Sequence, residues 1–585
     1  MYFFRIDMGT RKIKMQEVPE TYRLLGNRGL IARLSYDEID PQCHPLGADN
    51  KLILATSPLD GLGVTCTGRL SVGGKSPLTG GIKEANAGGV AATKLVRQGI
   101  KAIIVEGLPE PGELYILHIN KEGARLKSAK SLVGKGTYAV AEAVYAEYGK
   151  DVGLITIGPA GEHRLASAGV FVNDTDGDTS RAAARGGMGA VMSAKGLKAI
   201  VIDNDGTFTP PVSDKKAFRD ARTAFAKGIL EEPAIKVYTE YGTMGMLMTL
   251  NALSALPTNG FRKGTWERAD EISGDKLHDI IVERGGEGRN THKCMDICVI
   301  QCSNVFPDKN GKRIVAPLEY ECTALLGSNL GIDDLDRIAG LTKLCNDIGL
   351  DAIEIGATLG VAADAGLLRF GDAGRAGELI REIGTGTALG RILGSGAVVT
   401  GKVFGIARVP AVKGQAMAGH EPRGIKGMSV TYATSPMGAD HTAAATYRAQ
   451  VNHQKPEGQM EISRNVQVAL AFYDNFCCMF VSRGLINKPQ VFLNLINAIY
   501  GTTHGTDYPT TLGKEIIKLE HAFNIAAGIT EEYLPEFMKY ERLEPHGLVS
   551  DIPQSDYDRF WEESFWGAPI DVQRSLRGRH SQTAS

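Results

Sequence analysis

Lys198-Ala-Ile-Val-Ile202, followed by Phe208-Thr-Pro-Pro-Val-Ser213, is where the pattern of this chain changes. Upstream, short apolar runs are bounded by Gly, Pro or charge: Leu52-Ile53-Leu54, Ala102 to Val105, and Leu154 to Ile157. Runs of that length and punctuation read as buried strands. Paired prolines lack backbone N–H donors and interrupt ladders and helices, so Phe208 to Ser213 reads as a boundary. Downstream, apolar residues recur three and four apart, as from Leu335 to Ile348 and from Ala352 to Leu368, the periodicity of a helix. After Lys402 a Gly-rich, His-containing loop region leads into helical patterns from about Glu461 to Leu485 and from Lys514 to Ala527. This predicts an α+β protein: a β-rich N-terminal domain over 1–207, then two mainly α-helical domains over 208–402 and 403–585. The polar tail Ser575 to Ser585 reads as disordered.

A chain of 585 residues is too long for one core, which agrees with several domains. Its 65 Lys+Arg balance 67 Asp+Glu, giving a net charge of -2 and no basic surface for nucleic acid or a membrane. No apolar run reaches the roughly 18 residues a bilayer span needs, and Met1 to Lys12 carries no secretory signal, so the cytoplasm is expected. Glycine is over-used, with 71 residues clustered in runs such as Gly61 to Gly63, Gly88-Gly89 and Gly186-Gly187. Such runs serve either as tight turns or as backbone that approaches a large polar cofactor closely.

Four constellations carry chemistry. Nine cysteines include Cys294-Met-Asp-Ile-Cys298-Val-Ile-Gln-Cys302 and a distant Cys477-Cys478 pair. Thiolates are soft ligands, so the set reads as an iron–sulfur cluster, a structural zinc site or merely buried thiols. Spacing by four can place the three sulfurs on one helical face. Cys43, Cys66 and Cys345 stand alone and read as small buried apolar residues. Next comes Leu318-Glu319-Tyr320-Glu321-Cys322, with two carboxylates and a thiol in an apolar stretch. It reads either as a solvated loop or as a general acid/base with a possible metal ligand at Cys322. The third is Met417-Ala-Gly-His420-Glu-Pro-Arg423-Gly424 with Tyr432-Ala-Thr and Asp440-His441, two histidines in Gly-rich loops. The fourth, Arg181-Ala-Ala-Ala184-Arg185-Gly186-Gly187-Met-Gly189, joins arginines to a Gly run opening a helix, an anion site fitting no Walker or Rossmann pattern.

In this order, and with Leu25-Gly-Asn-Arg-Gly-Leu, Gly68-Arg69, Lys75-Ser-Pro-Leu-Thr-Gly80, Ala85-Asn86-Ala-Gly-Gly89, Ile157-Gly-Pro-Ala-Gly-Glu162 and Gly349-Leu-Asp351, the chain resembles the aldehyde:ferredoxin oxidoreductase family over about 1 to 540. The resemblance implies a tungsten- or molybdenum-dependent oxidation of aldehydes to carboxylic acids. It implies a metal held by two pterins bridged by magnesium at their phosphates. Arg69, Asn86, Gly88, Arg181, Ala182, Ala184 and Gly349-Leu350-Asp351 fall on the pterin-binding positions, and Cys294, Cys298, Cys302 and Cys478 on the ligands of a [4Fe-4S] cluster. Glu321 falls on the acid/base position, needing a raised pKa, and His441 on the donor to the substrate oxygen. The implied partner is ferredoxin or a ferredoxin-like electron-transfer subunit, and an oligomer is expected.

Some positions depart from the family. Three residues rather than two separate Cys294 from Cys298, and Asp474-Asn-Phe-Cys477-Cys478 is one residue short, leaving Cys477 a rival of Cys478. Asn346 stands where an Asp is expected and Ala443 where a Lys is. Gly340 and Lys343 replace the Glu-x-x-His that bridges subunits through iron, so no such iron is expected. Two other readings are a reductase related to class II benzoyl-CoA enzymes, with Cys322 on the metal, and a zinc-stabilised binding protein.

Overall fold

A computed structural model describes residues 1–570, so the tail Ser575 to Ser585 lies outside the described residues. The N-terminal region is built on twelve strands in two six-stranded sheets. The first sheet holds β1 (Tyr2–Asp7), β2 (Lys12–Glu17), β3 (Leu52–Thr56), β4 (Leu70–Lys75), β5 (Ile82–Ala87) and β6 (Ile100–Glu106), in the order β2-β1-β6-β3-β4-β5. The second holds β7 (Tyr115–Asn120), β8 (Gly123–Ser128), β9 (Val152–Thr156), β10 (Val170–Val172), β11 (Arg181–Ala183) and β12 (Leu197–Asp203). Its order, read from the other edge, is β8-β7-β12-β9-β10-β11, the same plan shifted by six strands. Each sheet has one parallel pair in the same place, β1 with β6 and β7 with β12. The second sheet is thus a topological copy of the first.

The period of two explains the layering. Leu52, Leu54, Ile103 and Val105 meet Ile155, Ile200 and Ile202 in the core between the sheets. Their neighbours Ile53, Ala55 and Ile104 point the other way, onto Leu30, Ile31 and Leu34 of the helix Asn27–Glu38. On the outer face of the second sheet, Leu154, Ala199 and Val201 pack on Val140 and Val144 of the helix Thr137–Tyr148. Strands covered on both faces read as continuous apolar runs, the pattern seen in the sequence.

After β12 the irregular stretch with Pro210-Pro211 leads into the helix Lys215–Leu230, and helices dominate from there. The predicted helix Leu335–Ile348 forms with those bounds, the Asp334 side chain accepting from the N–H groups of Asp336 and Arg337. Gly349 ends it in the left-handed conformation at φ 84°. Asp351 caps the next helix, Ala352–Asp364, which stops short of the expected Leu368.

Other expectations are corrected. The helix expected over Glu461 to Leu485 is two, Gln459–Phe476 and Val481–Leu485, with Cys477 extended between them. The helix expected from Lys514 starts at Tyr508, with a proline in its first turn. The segment Cys294 to Cys302 is a series of bends and not a helix. Its backbone is tied elsewhere: the Cys294 carbonyl accepts from Gly89 and the Ile297 carbonyl from Cys66.

Candidate active site

β5 and β11, the same strand of the two sheets, pack against each other, and a cavity of about 330 Å³ opens where they meet the helical part. Arg69, Asn86 and Gly88 line it from the first sheet, and Arg181, Ala182 and Ala184 from the second. Leu350 and Asp351 close it from the turn between two helices. Gly349 does not line it but makes the turn possible. A Cβ there would sit 2.6 Å from the Gly158 nitrogen, and the φ of 84° is strained for any L side chain.

The arginines are held from behind. Arg69 donates from Nε to the Asn86 side chain and from Nη2 to its carbonyl at 3.3 Å. Arg181 donates to Ser303 Oγ at 2.8 Å and to His292 Nδ1 at 2.9 Å, while its Nε is buried with no partner among the described residues. Burial, then Arg181, holds His292 down to about 4, so it is neutral and can accept that bond. Arg185 joins the set, 3.1 Å from Asp351 and 3.7 Å from Glu354.

Cys294, Cys298, Cys302 and Cys478 line the same cavity; Cys477 does not, and is buried in the core. Among the described residues no three His, Cys, Asp or Glu side chains converge on a single metal ion. Burial pushes the thiols of Cys302 and Cys478 up. Cys66, read from sequence as standing alone, does not: its Sγ is 3.8 Å from that of Cys298 and its carbonyl accepts from the Cys478 N–H at 2.9 Å. Cys345 is buried as expected, and Cys43 is only half-buried.

At the opposite wall, Glu321 stands in the first turn of the helix Tyr320–Leu326. Its Oε1 lies 3.1 Å from His420 Nδ1 and 3.5 Å from His441 Nε2, and its Oε2 accepts from the Gly419 N–H at 2.6 Å. The two imidazoles stack at 5.5 Å, and His420 stacks on Tyr447 at 5.3 Å. The raised pKa expected for Glu321 is not found. Burial raises it, but His441, His420 and the Gly419 N–H together outweigh burial and hold the carboxyl below its ordinary range. Burial lowers His441 against the pull of Glu321 and Asp440, and its Nδ1, 3.9 Å from Asp440 Oδ1, has no hydrogen-bond partner among the described residues. Behind it Asp440 is paired with the fully buried Lys83 at 2.5 Å. Cys322 lines the cavity too, its thiol pushed up to about 12 by burial and then by Glu319 and Glu321.

So the cavity gathers every expected site residue except Gly349, and adds His420, Lys83, Arg185, Cys66 and Tyr447 around it. Lys83 meets Asp440 from 357 residues away, and His420 meets Glu321 across a long stretch of chain, pairings that no local spacing announces.

Residues 3–204 match the model of the aldehyde ferredoxin oxidoreductase N-terminal domain, and residues 220–564 that of its domains 2 and 3. The chain belongs to the aldehyde ferredoxin oxidoreductase family. Among its relatives is a tungsten-containing aldehyde ferredoxin oxidoreductase of Pyrococcus furiosus, 30% identical over 90% of this chain and 89% of that one. The Pyrococcus horikoshii protein of the same description is 31% identical over 91% and 90%. An aliphatic sulfonate oxidoreductase, WOR-like subunit, of Pyrococcus furiosus is 25% identical over 89% and 85%. The fold is that of the active site complex BamBC of benzoyl coenzyme A reductase, with a TM-score of 0.77 at 19% identity over 99% of this chain and 96% of that one. The protein is therefore an oxidoreductase of the tungsten-containing aldehyde ferredoxin oxidoreductase type, and the family implies a tungsten bis-pterin cofactor. No helix among the described residues is long and apolar enough to cross a membrane.

The cavity suits that cofactor. Two pterins need two similar cradles, and β5 and β11 are equivalent strands presenting Asn86 and Arg181 to one space. The Arg181 Nε, buried without a partner among the described residues, leaves a donor that an anionic cofactor could satisfy.

Proposed function

We propose that this enzyme oxidises aldehydes to carboxylic acids at a tungsten bis-pterin, and that electrons leave through a [4Fe-4S] cluster to ferredoxin or a ferredoxin-like electron-transfer subunit in the cytoplasm. The observation that carries this reading is the convergence of Glu321, His441 and His420 on the cavity that also holds Cys294, Cys298, Cys302 and Cys478. When bound, the metal would supply a two-electron acceptor and the cluster a one-electron carrier. Arg69, Asn86, Gly88, Arg181, Ala182, Ala184 and the Gly349-Leu350-Asp351 turn would hold the pterins, their phosphates and the accompanying magnesium. The division of the chain near 207 and 402, and an oligomeric assembly, belong to the same proposal.

The histidines change the expected division of labour. An ionised Glu321 held by two imidazoles and an N–H is a poor base. Instead, 3.5 Å from His441 Nε2, it stabilises the imidazolium that forms when His441 takes a proton. His441, once protonated, can donate to the substrate oxygen as charge develops there. His420 braces both.

A second reading is kept by one observation: Cys322 lines the cavity beside Glu321, as a thiolate-ligated reductase would need. Elemental analysis for tungsten, molybdenum and iron, with a panel of aldehydes assayed against a viologen dye, tests the first reading. Glu321→Gln and His441→Ala should each slow turnover by roughly 10²–10⁴ with cofactors retained, whereas Cys322→Ser keeps most activity. Loss confined to Cys322→Ser, with Glu321→Gln active, would sink the aldehyde mechanism and favour the reductase.

A further inference from the structure

Three of the cavity's arginines, Arg69, Arg181 and Arg185, stand at its pterin wall with polar partners behind them. Arg448 does not. It lines the cavity beside Tyr447, Met479 and Phe480. Its Nε donates to the Tyr447 hydroxyl at 3.1 Å and its Nη2 to the Tyr238 hydroxyl at 2.9 Å. The rings of Tyr238, Tyr447 and Phe480 lie 5.8, 5.3 and 5.6 Å from its Cζ. Among the described residues no carboxylate pairs with Arg448, and its Nη1 has no acceptor. A second guanidinium, Arg483, bears on the same Tyr238, and its Nε is buried without a partner among the described residues.

A guanidinium in a pocket of rings and phenols is incompletely satisfied. Cation–π contacts offset only part of the guanidinium's desolvation, and two hydroxyls leave the fork open on one side. A planar carboxylate fills that fork bidentately. The position is set by a stack: Tyr447 lies against His420, and His420 against His441 and Glu321. This stack joins Arg448, through Tyr447 and His420, to the His441 and Glu321 end of the same cavity.

We infer that Arg448 is a specificity residue that binds a carboxylate on the substrate, so that the preferred substrates are aldehydes carrying an acid group a short chain away from the carbonyl. This rests on the aldehyde reading above. The test compares 4-oxobutanoate with its isostere 4-methylpentanal on the cofactor-loaded enzyme. The acid should be favoured by about 100-fold in kcat/KM, and Arg448→Met should cut that ratio by a similar factor, mainly through KM. Arg448→Lys should restore part of it. Arg448→Gln serves if the Met variant does not fold. Calorimetry should also detect succinate binding to the wild-type enzyme, lost in Arg448→Met. An unchanged ratio overturns the inference. So does a fall in tungsten or pterin content in the variant, because Arg448 would then belong to the cofactor. If neither aldehyde reacts, the aldehyde reading fails and succinate decides: binding lost in Arg448→Met sustains the carboxylate site, and no binding to wild type overturns it.

Discussion

Lys101 sits on β6 with 3% of its surface exposed, and its ammonium donates to one protein oxygen, the Arg23 carbonyl at 2.9 Å. Burial, reinforced by Arg23, pulls it down to about 7. The unfolded chain keeps an ordinary lysine near 10.5, so between those values the unfolded state binds the extra proton and stability rises with pH. Below about 7 both states are protonated and the folded protein bears the full burial cost. Lys101→Met should therefore raise the unfolding midpoint most at pH 6 and have little effect near pH 10, with a gain at pH 6 on the order of a few kcal/mol. Midpoints measured at both pH values check it; a gain that grows with pH would refute the assignment. Such pairings were not legible in the sequence. Residue types and spacing flagged the stretches that hold Glu321 and His441, and the family resemblance singled out the two residues, but a lysine in Ile100-Lys-Ala-Ile-Ile looks like a solvated face of a strand. Likewise nothing near Glu321 predicts two imidazoles that depress its pKa instead of letting burial raise it.

At the scale of elements, legibility followed the local signals. The helix Leu335–Ile348 was readable from its apolar spacing, with which the Asp334 cap and the Gly349 stop seen in the structure agree. The break after Phe476 was not, since Phe476-Cys-Cys-Met-Phe480 contains neither Gly nor Pro. A tertiary bond makes it, the Cys478 N–H reaching the Cys66 carbonyl. The cysteine segment failed as a helix for the same reason. Two predictions belong here. Gly349→Ala forces a Cβ to within 2.6 Å of the Gly158 backbone at a φ of 84°. It should cost about 1–3 kcal/mol and lower pterin and tungsten together, because Leu350 and Asp351 move with the turn; normal stability and cofactor content would show the turn to be tolerant. Cys298→Ser should remove iron and visible absorbance while largely sparing tungsten, since a serine oxygen replaces a soft thiolate poorly. Iron retained in full in Cys298→Ser would point to the nearby Cys66 as the ligand instead.

For the whole molecule, the site exists only if the N-terminal sheets and the C-terminal helices hold together, and Arg28 does much of that. It leaves the helix Asn27–Glu38, buried, and binds Glu520 of the helix Tyr508–Ala526 through Nε at 2.8 Å and Nη2 at 2.9 Å. It also lies 3.4 Å from Asp474, in the helix that ends just before Cys478. Glu520 has no exposure, so removing its partner strands a charge in a dry site. Arg28→Met should therefore destabilise by about 3–5 kcal/mol. It should also reduce bound iron, because Asp474 anchors the approach to Cys478. Glu520→Met should cost a similar amount, for it strands the arginine. The double replacement buries two apolar side chains in place of the pair and should be more stable than either single variant. Thermal midpoints and iron content across the four proteins complete the cycle. If the double variant is destabilised by the sum of the two singles, the pair does not couple the sheets to the helices, and the cavity is held by apolar packing alone.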